Sequence, residues 1–235
     1  MSLAAALGDR IGAALPVILP ACGGGELHRD VAAHHMIIGP VMSDEAQAPK
    51  ITTGRGCGEC SLCCKLAQVD ELDKPSGVWC RHCAPGRGGC TIYETRPGVC
   101  RNWHCSWILD ANLGPEWRPL TCKMILFFEK AGSRLCVRVE PSHADVWRRE
   151  PYYSQLKRWS RNAVEARQQV VVYIKKRVIV ILPDKDVDFG DVELGEQIWV
   201  GAQDTPTGRT WNAARIPADV PPDQVDKWLM SQLAR

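Results

Sequence analysis

The segment CGECSLCC, Cys57 to Cys64, places four cysteines within eight residues. Five more follow as far as Cys105, in the motifs WCRHC, GGC, GVC and WHC. Residues 57–117 contain few aliphatic runs, and a segment with so little apolar surface cannot be held together by a hydrophobic core of its own. The cysteines are therefore expected to supply the links that order this part of the chain.

Three roles are open to these cysteines. Disulfides would suit their density, but disulfides persist mainly in oxidising compartments and the N-terminus has no convincing export signal. Burial as small apolar side chains explains Cys136, which lies in a strand pattern, and also Cys122. It does not explain nine cysteines in a glycine-rich stretch with repeated two-residue gaps. That pattern favours metal ligation.

The spacing leaves the metal undecided. Cys60-x2-Cys63 followed by Cys80-x2-Cys83 fits a two-knuckle zinc site. Cys57-x2-Cys60-x2-Cys63 fits equally well the three-cysteine loop of an iron–sulfur cluster with a distant fourth ligand. Both patterns use Cys60 and Cys63, so both cannot hold in full.

Together with GCTIYETRPGVCR at Gly89–Arg101, the first segment resembles the bacterial CxxCxxCC family of zinc- or iron-chelating (YkgJ-like) proteins. The family pattern is a C-x2-C-x2-C-C run, an intervening cysteine, and then C-x-I-Y-x-x-R-P-x-x-C-R. The matching residues are Cys57, Cys60, Cys63, Cys64, Cys80, Cys90, Tyr93, Arg96, Pro97, Cys100 and Arg101. The resemblance implies binding of zinc or iron without a settled activity. A related domain in flagellin lysine N-methylase is associated with an iron–sulfur cluster and methyl transfer.

The resemblance also implies a ligand set. Cys83 falls outside the family pattern, which weakens the two-knuckle zinc interpretation. The expected ligands are Cys57, Cys60, Cys63, Cys64, Cys80, Cys90 and Cys100, with Cys105 as an eighth. Eight thiolates would suit two four-coordinate ions or one larger cluster. The side chains of the neighbouring Cys63 and Cys64 are expected to diverge and to serve different ions.

Several other residues near the cysteines are candidates for a role in the metal site. His82 and His104 are candidate ligands, but we expect them to be loop residues or hydrogen-bond donors to thiolates. Arg96 and Arg101 could donate hydrogen bonds to the sulfurs or could be ordinary surface residues. An apolar lid over the metal segment is expected from four tryptophans, Trp79, Trp103, Trp107 and Trp117.

Beyond the cysteines the pattern predicts an α+β fold with a small antiparallel sheet. Hairpins are expected at 120–140 and 170–182, a helix over 142–169 interrupted near Pro151, a further strand at 198–200, and a closing helix over 223–233. Short helical turns are expected at 61–69 and 91–96. We divide the chain into a peripheral N-terminal extension (1–50), a metal-stabilised cysteine-rich segment (51–118) with few regular elements, and a small α+β unit (119–235) packed on it. Cys22 in the extension is expected to do no chemistry.

The overall composition excludes some function classes by default. Net charge is +2, from 29 basic and 27 acidic residues, so nucleic acid is not an expected partner. No apolar run reaches the roughly 20 residues of a membrane span. No nucleotide, S-adenosylmethionine or hydrolase motif is present, and catalytic residues stay unknown. The expectation is a cytoplasmic metal-binding protein whose metal is structural or handled as cargo, with a protein partner also considered. The alternative is an iron–sulfur redox or group-transfer enzyme.

Overall fold

The computed structural model describes residues 51–84, 89–129, 133–206 and 208–233. The N-terminal extension, including Cys22, lies outside the described residues. Within them the chain combines short helices with a five-stranded sheet and two small two-stranded sheets, so the fold is α+β as predicted. None of the described helices is both long enough and apolar enough to cross a membrane.

The regular elements are numbered in chain order. The helices are α1 (Leu62–Leu66), α2 (Gly98–Asn102), α3 (Ser106–Leu109), α4 (Pro119–Cys122), α5 (Tyr152–Glu165) and α6 (Val225–Leu233). The strands are β1 (Cys83–Ala84), β2 (Gly89–Cys90), β3 (Met124–Glu129), β4 (Arg134–Val139), β5 (Gln169–Ile174), β6 (Arg177–Ile181), β7 (Asp186–Asp191), β8 (Gln197–Thr205) and β9 (Gly208–Ile216). Short 3-10 helices lie at Asp70–Leu72, Pro115–Trp117, Pro141–His143, Val146–Arg148 and Pro222–Gln224.

The central sheet has the strand order β3-β4-β5-β6-β7 and is mixed rather than antiparallel. The two predicted hairpins, β3–β4 and β5–β6, are confirmed, and Lys175 takes the positive φ of 55° that the second turn needs. The prediction of a purely antiparallel sheet is wrong at one place, because β4 and β5 pair in parallel. A parallel pair needs a long crossover, and α5 lies in this connection.

Two other sequence predictions are confirmed in part. The turn expected at 91–96 is present as hydrogen-bonded turns over residues 91–95, and the next helix begins at Gly98, directly after Pro97. The predicted helix over 142–169 contains two 3-10 helices before α5, which starts directly after Pro151. The closing helix is confirmed as α6, whereas strands β7 and β9 were not predicted.

The central sheet is buried on both faces. The core on one face is formed by β4 residues such as Leu135 and Val137 with α5 residues Leu156 and Trp159. The prediction that Trp117 covers the cysteines is wrong, because Trp117 lies in this core, with its ring centroid 5.0 Å from that of Tyr152. Alternation along β4 places Cys136 on the opposite face.

The second face of the sheet carries the cysteine-rich segment. Ile125, Phe127 and Cys136 of the sheet pack against Leu62 and Leu66 of α1. Ile108 of α3 and the half-buried Cys57, Cys60 and Cys63 pack against the same core. A buried leucine contributes about 1.5–3 kcal/mol, so these few anchors attach the segment to the sheet but cannot order all of it.

An ion pair reinforces this attachment. The Lys65 ammonium of α1 donates to Glu140 Oε1, just beyond β4. Glu140 is buried and also accepts hydrogen bonds from Ser142 and from His143 Nδ1, which lies 2.9 Å away. Burial raises the pKa of this carboxyl, but the hydrogen bonds from Lys65, Ser142 and His143 outweigh it and lower the pKa to about 2. Glu140 is therefore a fixed negative charge that holds α1 on the sheet.

Candidate metal centre

One cavity gathers the cysteines of the segment. Its volume is about 100 Å³, and it lies between the segment and the second face of the sheet. It is lined by all eight cysteines of the predicted ligand set: Cys57, Cys60, Cys63, Cys64, Cys80, Cys90, Cys100 and Cys105. Their thiols come from a loop, α1, a second loop, β2, α2 and the residue before α3. No aspartate or glutamate is among the described residues that line this cavity.

Turns and glycines bring the first loop onto the cavity. The Cys60 amide donates to the Cys57 carbonyl at 2.6 Å, which closes the Cys-x-x-Cys turn. Gly58 lies at the tip with a φ of 45°. Gly89 has a φ of 90°, and a Cβ there would lie 2.6 Å from the Gly58 carbonyl oxygen. Only glycine permits this approach, which holds the first loop against β2 and therefore beside Cys90.

Backbone hydrogen bonds fix the next cysteines relative to α1. The Cys80 amide donates to the Cys64 carbonyl at 2.9 Å. Cys83 and Cys90 face each other in the β1–β2 ladder. Cys83 does not line the cavity, although its thiol hydrogen-bonds with Cys64 at the edge. Cys83 thus interacts with Cys64 and Cys80 although it does not line the cavity, and its exclusion from the ligand set stays a prediction.

Crowding and burial shift the pKa values of the thiols. Burial raises the pKa of Cys57 and Cys60, and it raises that of Cys105 to about 11. A hydrogen bond from Cys63 lowers the pKa of Cys64 to about 7. The thiols of Cys63 and Cys64 therefore interact, and their assignment to different ions stays a prediction. Buried thiols of raised pKa stay neutral until a cation offsets the charge of their thiolates.

Electrostatic interactions divide the thiols into two neighbourhoods. Cys105 interacts with Cys60 and Cys57, and Cys63 interacts with the same two residues as well as with Cys64. Cys100 interacts instead with Cys64, Cys80 and Cys90. We name the first neighbourhood (Cys57, Cys60, Cys63, Cys105) the loop group. The second (Cys64, Cys80, Cys90, Cys100) is the strand group, and the two groups overlap, because Cys64 also interacts with Cys57, Cys60 and Cys63.

A buried lysine that the sequence analysis missed lies beside the cavity. Lys74 is 5% exposed and donates to the backbone carbonyls of Lys65, Ala67 and Pro75. No carboxylate forms an ion pair with it within the described part of the chain. Four thiols are close enough to affect its charge, those of Cys80, Cys64, Cys63 and Cys100. The local sequence, a single lysine before a proline, does not indicate that Lys74 is buried beside the cavity.

The other candidate residues separate into those that reach the cavity and those that do not. His82, His104 and Arg96 line it, and His104 Nδ1 is buried without a hydrogen-bond partner among the described residues. Arg101 is exposed and is not part of the lining. Among the four tryptophans of the predicted lid, only Trp103 and Trp107 line the cavity. Trp79 is 40% exposed and lies under the Lys65 ammonium instead.

The remaining cysteines behave as predicted. Cys122 and Cys136 are fully buried in the two cores and do not line the cavity. The Cys122 thiol donates to the Met124 carbonyl at 3.3 Å. All cysteines of residues 51–84, 89–129 and 133–206 are free thiols.

The eight cysteines line one cavity without forming a coordination sphere. In the described ranges, no three histidine, cysteine, aspartate or glutamate side chains are arranged as a complete ion site. No protein family profile, no curated protein and no solved structure matches the chain. The cavity and the chemistry of its lining therefore carry the functional interpretation by themselves.

Proposed function

We propose that this protein binds zinc or iron, the iron as an iron–sulfur cluster, through the thiolates of the loop group and the strand group. The observation that carries the proposal is the convergence of eight cysteines on one cavity without a carboxylate. Thiolates without carboxylates are the donor set that zinc and iron–sulfur clusters prefer. The resemblance to the CxxCxxCC family points to the same metals.

The buried charge beside the cavity supports an anionic centre. A zinc ion with four thiolates carries a net charge of about −2, and iron–sulfur clusters with four cysteines are also anionic. Lys74 is buried with carbonyl partners only, and an ammonium in that position favours a nearby anion. His104 Nδ1, buried and without a partner in the described residues, is available as a hydrogen-bond donor or as a ninth ligand.

The proposed role of the metal is structural or metal-handling, in a reducing cytoplasmic environment that keeps the thiols free. The metal would hold together a segment whose elements are short: α1 and α2 have five residues each and β1 and β2 have two each. The chain's own residues supply thiolates, a compensating ammonium and apolar cover from Trp103 and Trp107.

Metal content and colour of the protein test this proposal. We expect two or more metal atoms per chain in protein purified anaerobically, since eight thiolates can complete two four-coordinate spheres. A colourless protein that contains zinc supports the structural or metal-handling role. Visible absorbance that dithionite bleaches would support the alternative, an iron–sulfur redox or group-transfer protein. Less than half an atom per chain, with thiols paired as disulfides, would contradict metal binding altogether.

Substitution of Lys74 tests the charge of the centre. Lys74→Met should weaken metal affinity about 10- to 100-fold, the usual effect of losing a group that supports metal ligands from outside the coordination sphere. Affinity is measured by competition with a chromophoric chelator. Lys157→Met is the matched control, because the Lys157 ammonium also donates to a backbone carbonyl, that of Leu182, at 2.7 Å. Lys157 is paired with Asp186 at 2.8 Å and does not line the cavity. Equal losses of affinity in both variants would show that Lys74 acts only through stability.

A further inference from the structure

A second cavity lies on the same face of the sheet and contains none of the cysteines. Its volume is about 440 Å³, and it lies between residues 75–77, strand β4 and the β5–β6 turn. This volume falls within the range of roughly 300–1,000 Å³ that is typical of small-molecule sites. Residue 74 lines the cysteine cavity and residue 75 lines this one, so the loop between α1 and β1 separates the two.

Arg138 of β4 lines this cavity with a guanidinium that is incompletely paired. The residue is 5% exposed, and its Nη1 donates to Ser76 Oγ at 3.2 Å. Its Nε is buried and has no acceptor among the described residues. No carboxylate in the described part of the chain forms an ion pair with it; the Tyr173 ring lies 5.5 Å away, and the Glu129 carboxylate favours the guanidinium charge without contacting it. A buried cation with an unused donor is costly unless an anion completes it.

Arg134, on the same strand and the same face, shows how this sheet pairs a buried arginine. It is 2% exposed and donates to Gln169 Oε1 at 3.2 Å, to Glu129 Oε2 at 3.4 Å and to the Tyr173 hydroxyl at 3.3 Å. Every partner of Arg134 is part of the chain. The missing acceptor at Arg138 is therefore a local feature of the second cavity and not a general property of β4.

The remaining lining adds positive charge and an apolar wall. Lys175 and Lys176 lie in the β5–β6 turn, and only Lys176 has a carboxylate partner in the described ranges, Glu193, at 2.9 Å. One of the three cations is thus neutralised. Leu194 contributes apolar surface and is 65% exposed, whereas Leu66 and Val139 are almost fully buried. A matching ligand has an anionic head and an apolar body.

We propose that this cavity binds a small organic anion, a carboxylate or a phosphate monoester, whose charged head accepts from Arg138. The apolar body of the ligand covers Leu194, and Lys175 lies over the head at the mouth of the cavity. The site is separate from the cysteine cavity and does not depend on the proposed metal function.

Binding of benzoate and of phenyl phosphate tests this proposal. Both probes are titrated into the full chain, purified anaerobically with its metal, and followed by ligand-observed NMR. We expect saturable one-to-one binding of at least one probe, and the probe that binds distinguishes a carboxylate ligand from a phosphate ligand. Inorganic phosphate and benzyl alcohol should each bind at least about tenfold more weakly, since one lacks the apolar body and the other the charge. Failure of both aromatic anions to bind would overturn the proposal.

Two variants separate a ligand-binding role of Arg138 from a structural one. Arg138→Met should weaken binding of the anion at least about tenfold, while the thermal stability without the probe stays equal or rises. Arg138→Gln keeps a polar group at the position and should lose binding in the same way. Arg134→Met is the matched control and should lower the melting temperature, because it leaves the buried partners of Arg134 without their hydrogen-bond donor. Unchanged anion affinity in Arg138→Met, or a destabilisation as large as that of Arg134→Met, would contradict the proposal.

Discussion

Chelation of the bound metal is expected to unfold residues 57–105 and to leave the central sheet and α5 folded. Thiolate–metal bonds in small metal-folded domains are worth on the order of 10 kcal/mol, far more than the few apolar anchors of this segment. The core that contains Leu156 and Trp159 lies on the other face of the sheet and includes no cysteine of the predicted ligand set. That core should therefore survive removal of the metal.

Limited proteolysis with trypsin measures, at individual residues, whether the segment unfolds while α5 stays folded. Lys65 lies in α1, is paired with Glu140 and precedes the buried Leu66, so the bond after it should be cut only after chelation. Arg158 and Arg161 lie in α5 and serve as matched sites, because a packed helix should protect them with or without metal. We expect new cleavage at Lys65 in the presence of chelator and little change at the two α5 sites.

A thiol that is not a ligand provides the control. Cys136→Ala should leave the metal content unchanged, because Cys136 is fully buried in the sheet core. Cleavage that rises equally in α5 and in the segment would show that the chain unfolds as one unit. Loss of metal from Cys136→Ala would show that the ligands are wrongly assigned.

Serine substitutions in the two cysteine groups should each remove one metal ion out of two. Cys105 belongs to the loop group and interacts with Cys57 and Cys60. Cys100 belongs to the strand group and interacts with Cys64, Cys80 and Cys90. The metal content of Cys105→Ser and of Cys100→Ser should therefore each be lower by about one atom per chain, since a tetrahedral site tolerates the loss of a thiolate poorly. The double variant should contain no metal. Elemental analysis of the folded fraction gives the result.

This pair of variants also distinguishes two ions from one larger cluster. If either single substitution removes all metal, then the eight thiolates hold a single cluster and the two groups are parts of it. Cys83→Ser is the matched control, because Cys83 lies in the same segment and next to the strand group but does not line the cavity. Its metal content should equal that of the unsubstituted protein.

Local patterns in the sequence were sufficient for the elements that depend on near neighbours. The β3–β4 and β5–β6 hairpins follow from short turns between apolar runs, and the closing helix follows from its spacing. The cysteine cluster was also predictable, because cysteines at two-residue gaps in a glycine-rich stretch have few other uses, whereas the choice of eight without Cys83 rests on the family resemblance. Their arrangement around one cavity agrees with that prediction, whereas metal binding itself stays a proposal.

The tertiary structure alone decided how distant parts of the chain meet. The parallel pairing of β4 with β5, the place of Trp117 in the core behind the sheet, and the exposure of Arg101 depend on contacts between remote residues, which periodicity does not encode. The same holds for Lys74 and Arg138, since each is one basic residue in an ordinary local sequence. Their importance comes from burial without a carboxylate among the described residues, and burial is a property of the packed chain. Spacing along the sequence can specify which donors are near each other, but only packing determines which charges lose their water.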